Sequence, residues 1–191
     1  MCRVVATAHV IDAMKRTYTT AEQAAQKATK VATPRMALFG FAIGLVLFLV
    51  TPDLSAIHLI IIAALGVSAG LMTARTLPAT ARDQMRGVGA GGGGTAGATY
   101  ALPFVAYYFY RFITLNAATL AQRMQTLTAA EVAAAQAQNL QIGIDYFQSR
   151  DISYLFFFLM FGWFVGWVFG MIGGLIARRG TSLKAPQLTR D

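Results

Sequence analysis

The run from Ile152 to Ala177, ISYLFFFLMFGWFVGWVFGMIGGLIA, contains no Asp, Glu, Lys, Arg or His. As an α-helix rising about 1.5 Å per residue it reaches roughly 39 Å, more than the hydrocarbon core of a bilayer, about 30 Å thick. A helix is also the one single-segment structure that satisfies its own backbone groups in lipid. The remainder of the chain agrees with a membrane setting. Of 191 residues, 56% are hydrophobic and only 13% charged, whereas a soluble domain carries about 25% charged residues.

Three further apolar runs precede it. Met36 to Val50 is rather short for a span and needs a turn from its flanks, and Thr51-Pro52-Asp53 reads as a stop and turn before the second run, Ala56 to Thr73. The third, Thr95 to Leu115, carries Pro103, which kinks a helix but is tolerated in a packed bundle. The expected fold is therefore an all-α integral membrane protein with four transmembrane helices in two hairpins, held by glycine-row packing. Residues 1–35 form a basic amphipathic segment, 36–74 the first hairpin and 75–93 a basic Gly-rich linker. Residues 94–115 form the third helix, 116–151 an outer-side amphipathic helical segment, 152–178 the fourth helix and 179–191 a basic tail.

Residues 87–94 read GVGAGGGG, and Gly89 to Gly94 fits the G-x-G-x-x-G spacing of dinucleotide-binding loops. That chemistry needs a strand before the glycines and a helix after them, so that N–H groups face the pyrophosphate. An arginine-bearing linker precedes them instead. The physical alternative is a helix face: Gly89, Gly93 and Gly97 recur every fourth residue, with Ala101 continuing the row. The other runs carry the same spacing in Gly40 and Gly44, in Gly66 and Gly70, and in Gly162, Gly166, Gly170 and Gly174. Small residues at this interval let helix backbones approach where lipid supplies no hydrophobic drive to associate.

The net charge is +8, but the charge lies between apolar runs and forms no solvated nucleic-acid face. Arg3, Lys15, Arg16, Lys27, Lys30 and Arg35 precede the first run, Arg75, Arg82 and Arg86 lie between the second and third, and Arg178, Arg179, Lys184 and Arg190 follow the fourth. Positive residues favour the inner side. Both termini are expected inside a bacterial cytoplasmic membrane or a mitochondrial inner membrane, with anionic headgroups meeting the basic inner face.

Two segments outside the runs read as surface helices. Thr19-Thr20-Ala21-Glu22 fits a capping box ahead of a helix that Pro34 should end; a targeting presequence is the alternative, disfavoured by Asp12 and Glu22. Thr128-Ala129-Ala130-Glu131 is a second capping box on the outer side.

Residues able to carry chemistry are few. His58, near the outer end of the second helix, is able to ligate haem or a chlorophyll-type magnesium, or else to hydrogen-bond a headgroup or a neighbouring carbonyl. Trp163 and Trp167 fall near the middle of the fourth helix, where with their phenylalanine neighbours they either wall a site for a quinone, a pigment or a lipid tail or fill lipid-facing grooves. Arg111 reads as an interfacial anchor snorkelling beside an aromatic belt of Tyr107, Tyr108, Phe109, Tyr110 and Phe112, or as a partner for an acidic group on another subunit. With Cys2 alone, no internal disulfide or thiolate metal site can form. No catalytic constellation assembles. The expected function is a non-catalytic subunit or assembly factor packing against other membrane subunits or itself, with a cofactor- or lipid-binding protein and a small transporter or channel as alternatives.

Overall fold

A computed structural model describes the backbone of residues 2–138 and 140–182, and the side chains of 20–78, 81–138 and 140–180. The described residues are helical, with no strand. The helices are α1 (Cys2–Val50), α2 (Ala56–Ala74), α3 (Met85–Ile113), α4 (Ala117–Gln125), α5 (Ala129–Ala137) and α6 (Ile144–Ser182), with a 3-10 turn over Ala79–Gln84 between α2 and α3. Three segments are long and apolar enough to cross a membrane: Thr20–Val50, Ala56–Ala74 and Ile144–Gly180.

Several helix boundaries and one helix pairing differ from the sequence expectation. Pro34 does not end a helix, because α1 runs through it unbroken. A proline inside a helix costs about 3 kcal/mol, but Ala25, Ala28, Ala32 and Met36 continue one buried face across it. The Ala25 and Ala28 end of that face packs on Leu77, Ala81, Met85 and Val88, and Met36 on Leu65, Ala69 and Ala96. Thr19 to Glu22 accordingly lies within α1 rather than at a helix start, and the Thr19 side chain is outside the described residues. The glycine stretch is not linker, since α3 begins at Met85. The last helix starts at Ile144, not Ile152, so its first two turns carry polar residues. Finally, α1 packs mainly on α3 and touches α2 little, so the first two runs are not a packed pair.

Helix α3 occupies the middle of the bundle, against α1, α2 and α6. Its composition explains the position. Glycine dilutes its hydropathy, and a helix shielded by three others needs little apolar surface of its own. On the row facing α6, a Cβ added to Gly89 would come within 2.7 Å of the Gly170 carbonyl oxygen and 2.8 Å of Gly174 Cα, and one on Gly97 within 3.1 Å of Gly166 Cα. On the other side of α6, a Cβ on Gly66 would meet the Gly166 carbonyl at 2.8 Å, and one on Gly70 would meet Gly170 Cα at 2.7 Å. Gly40 and Gly44 of α1 sit against the carbonyls of Ala96 and Tyr100. No side chain fits in these gaps. Gly173, absent from the four-residue rows, is equally tight, with Leu71 N 2.6 Å from an added Cβ. Gly87 and Gly91, by contrast, face open space.

A second row of α3 grades from small to large: Gly92, Ala96, Tyr100, Phe104 and Tyr108 are all buried. The aromatic half of this row fills the space between helices with Ile62 and Phe158, the Phe104 and Phe158 rings stacking at 4.4 Å. Tyr108, expected in an exposed belt, is therefore buried, while Phe109 and Tyr110 remain exposed.

At the same end of the bundle, α4 and α5 each open on a reciprocal cap. Asn116 accepts from Thr119 N at 3.0 Å, and Thr128 accepts from Glu131 N at 3.2 Å while Thr128 N donates to Glu131 Oε2 at 2.8 Å. That backbone donor holds the Glu131 carboxyl below the usual carboxylate range. The sign follows directly: the cap is intact near neutrality, and its support is lost as pH falls through the depressed folded-state value.

Candidate functional site

Apart from the Arg178–Asp83 pair at the other end, one group of interacting polar side chains lies at the α1–α2 end. There the connection Thr51–Ser55, the aromatic end of α3, the short helices and the start of α6 converge. His58, on the first turn of α2, is fully buried. Its Nε2 lies 2.9 Å from the Asp53 carbonyl oxygen, which can only accept, so Nε2 carries a proton. Its Nδ1 lies 2.7 Å from the Tyr100 hydroxyl. Phe104 and Phe158 wall the imidazole edge-on at 4.8 and 5.3 Å.

This arrangement matches the hydrogen-bonding alternative for His58, with a backbone carbonyl as one partner. Both ring nitrogens are engaged, and ligation would strip a bond from a buried partner. His58 joins the α1–α2 connection to α3. Replacing it with Phe keeps the ring volume but leaves the Tyr100 hydroxyl and the Asp53 carbonyl unpaired, and an orphaned buried polar group costs about 1–3 kcal/mol. His58→Phe is expected to lower the thermal midpoint in detergent, and His58→Phe with Tyr100→Phe to recover part of the loss. An unchanged midpoint in the single variant would remove His58 from the stability of this end.

Trp163 and Trp167 stack on one another at 6.3 Å and are 51% and 37% exposed. They lie on the exterior of α6 beside Gly94, whose added Cβ would be 3.4 Å from Trp167 Cβ. The pair presents an outward-facing aromatic surface, as in the groove-filling alternative.

An ion cluster surrounds Asp151. This carboxylate is fully buried, yet it lies one residue before the charge-free run. Arg123 Nη1 donates to its Oδ2 at 2.6 Å, Arg111 Nε lies 3.5 Å from Oδ1, and Arg123 Nη2 also donates to the Arg111 backbone carbonyl. Arg111 rests over the rings of Tyr107 and Tyr108, with Nη1 donating to the Tyr107 hydroxyl at 3.3 Å. The expected interfacial anchor thus has an acidic partner within its own chain. Beside it Arg150 pairs with Glu131 at 3.2 Å and covers the Phe147 ring at 4.9 Å.

Two cavities flank Arg111. One, of about 340 Å³, is lined by Arg111, Arg123, Tyr107, Tyr110, Gln122 and three threonines. The other, of about 390 Å³, is lined by Asp53, Glu131, Arg111, Arg150, Tyr107 and Tyr154 among others. Among the described residues no cluster of His, Cys, Asp and Glu is arranged to hold a metal ion.

Comparison with protein-family models, curated proteins and solved structures finds no match. The site therefore stands on its geometry alone. Sequence reasoning reached Arg111 and His58 but missed Asp151, Arg123 and Tyr100. A lone arginine at the end of one apolar run and a lone aspartate at the start of another are the signal that could have joined the first pair.

Proposed function

We propose that the chain is a four-span integral membrane protein in which α3 is the central span, glycine rows hold the helices together, and the role is structural. In this reading it is a non-catalytic subunit or assembly factor of a larger membrane complex. The observation that supports it is where charge is missing. No Asp, Glu, Lys or Arg occurs from Met36 to Val50, from Leu54 to Ala74, from Gly87 to Tyr110 or from Ile152 to Ala177. Transport of ions or protons uses ionisable groups at membrane depth; here His58 sits in the first turn of α2 with both ring nitrogens hydrogen-bonded, and the rest of the interhelical space is taken by backbone contacts and stacked rings. With the glycine rows turned toward one another, partner contact falls to the exterior, where Leu38, Val46 and Leu49 of α1 and Phe156, Met160 and Trp163 of α6 are exposed.

Both termini face the inner compartment in this proposal, since thirteen of the sixteen Lys and Arg lie on that side. Reporters fused before Met1 and after Asp191 should read inside, and one inserted between Asn116 and Asp151 outside. An outside reading at either terminus would sink the four-span topology. Purification in a mild detergent with mass spectrometry and an absorption spectrum tests the role. Stoichiometric co-purifying subunits support it; a Soret or near-infrared band, or a lone colourless oligomer with transport activity in vesicles, overturns it.

A further inference from the structure

The cavity of about 390 Å³ at the α1–α2 end falls within the range typical of small-molecule sites, about 300–1,000 Å³. Unlike its neighbour it presents both signs of charge. Arg111 and Arg150 line it together with Asp53 and Glu131, and Tyr107 and Tyr154 add aromatic faces. Two groups of these lining residues make no hydrogen bond among the described residues. The Nε of Arg150 is buried without a hydrogen-bond partner. The Asp53 side chain is exposed and makes no hydrogen bond or ion pair among the described residues. Glu131, in contrast, is committed to Thr128 and Arg150.

A ligand complementary to this wall carries an anionic group for the arginines and a cation for Asp53 and the tyrosine faces. The cavity also opens where apolar surface ends: Leu54 lines it, and Leu49 and Val50, just before it in sequence, are 74% and 72% exposed. We infer that it binds the headgroup of a zwitterionic phospholipid with a primary ammonium, phosphatidylethanolamine in type. The phosphate lies toward Arg111 and Arg150, and the ammonium donates to Asp53. A primary ammonium donates hydrogen bonds that a trimethylated one cannot, and a glycerol headgroup supplies no cation, so the site discriminates among lipids of the same chain length. This inference rests on the membrane reading above.

The test uses the full chain in detergent micelles doped with phosphatidylethanolamine, phosphatidylcholine or phosphatidylglycerol of identical acyl chains, with lipid retention read by native mass spectrometry. Phosphatidylethanolamine should be retained about tenfold or more over phosphatidylglycerol, the worth of one charge-assisted hydrogen bond. Asp53→Asn, at an exposed position, should abolish that preference while the chain stays folded. Arg150→Gln should weaken retention of all three lipids. Equal retention by the unaltered chain, or an Asp53→Asn chain with the preference intact, overturns the site. Soluble O-phosphoethanolamine displacing the lipid at equal concentration, with the same Asp53 dependence, overturns the lipid assignment in favour of a soluble zwitterion. Release of the chain from membranes by alkaline carbonate is a separate outcome, which overturns the membrane reading itself.

Discussion

Gly170→Leu is expected to eliminate the folded chain, not merely weaken it. Gly170 is approached from two sides: a Cβ there would lie 2.5 Å from the Gly89 carbonyl and 2.9 Å from Gly93 Cα, while Gly70 of α2 meets the Gly170 backbone from the other side. The neighbouring atoms are backbone, so no side chain can rotate away and the helices themselves must part. Overpacking of ordinary cores costs about 1–3 kcal/mol, and a contact without flexible neighbours belongs at or above the top of that range. Abundance and protease resistance in membranes should fall together, with Gly166→Leu behaving alike. Phe157→Leu, which trims a half-buried ring packed on Phe161 and Phe158, and Gly87→Ala, which meets nothing within 4 Å, should leave both readouts near normal. Normal abundance and protease resistance of Gly170→Leu would show that these helices separate readily. Loss of partners alone, with the chain intact, would place the row at a subunit interface.

The second large effect is expected at Asp151. Its carboxylate is the shared partner of Arg111 and Arg123, whose side chains are only 16% and 12% exposed. Asp151→Asn keeps the shape but removes the negative charge, stranding two cations in a poorly solvated corner. Breaking a buried ion pair by removing one partner costs about 3–5 kcal/mol, enough to lower the thermal midpoint by many degrees in a domain this small. Replacing all three groups, Asp151→Leu with Arg111→Met and Arg123→Leu, should recover most of the loss, because a buried ionic cluster and an apolar one of similar volume are often nearly equivalent. A stability for Asp151→Asn within about 0.5 kcal/mol of the parent, the level of ordinary surface changes, would show that solvent reaches the cluster and carries its electrostatics.

What the sequence made readable was what repeats or what is local. Charge-free runs identify α2 and α6 by composition, and the Thr128–Glu131 cap is legible because both halves lie within four residues. The glycines of the four-residue rows lie at close approaches, but Gly87 and Gly91, also four apart, meet nothing, and the spacing does not say which helix a row faces. Gly173 breaks the spacing and was invisible on that ground. Features that depend on distant neighbours were hidden as well. Pro34 signals a helix end by local rules, and only the packing of Ala25 and Ala28 on Leu77, Ala81, Met85 and Val88, and of Met36 on Leu65, Ala69 and Ala96, all distant in sequence, overrides them. The bond between His58 and Tyr100 spans 42 positions, and that between Arg123 and Asp151 spans 28. No local pattern encodes either. Tyr108 reads as a belt residue from its position near a helix end, and its burial follows from the size gradient along its row, which means something only once α2 and α6 stand on that side.

The central position of α3 also bears on how such a chain would be made. A helix whose polarity is masked by three neighbours is well placed at the end of synthesis and poorly placed at its beginning, when those neighbours are incomplete. α1 and α2 emerge first and are apolar enough to enter lipid unaided, but the glycine face of α3 is completed by α6, which begins thirty residues after α3 ends. On the four-span reading, α3 must therefore wait, sheltered by the insertion machinery or by α1 and α2 alone, until α6 arrives from the opposite direction. The order of birth along the chain thus makes the last helix the one that decides whether the third stays.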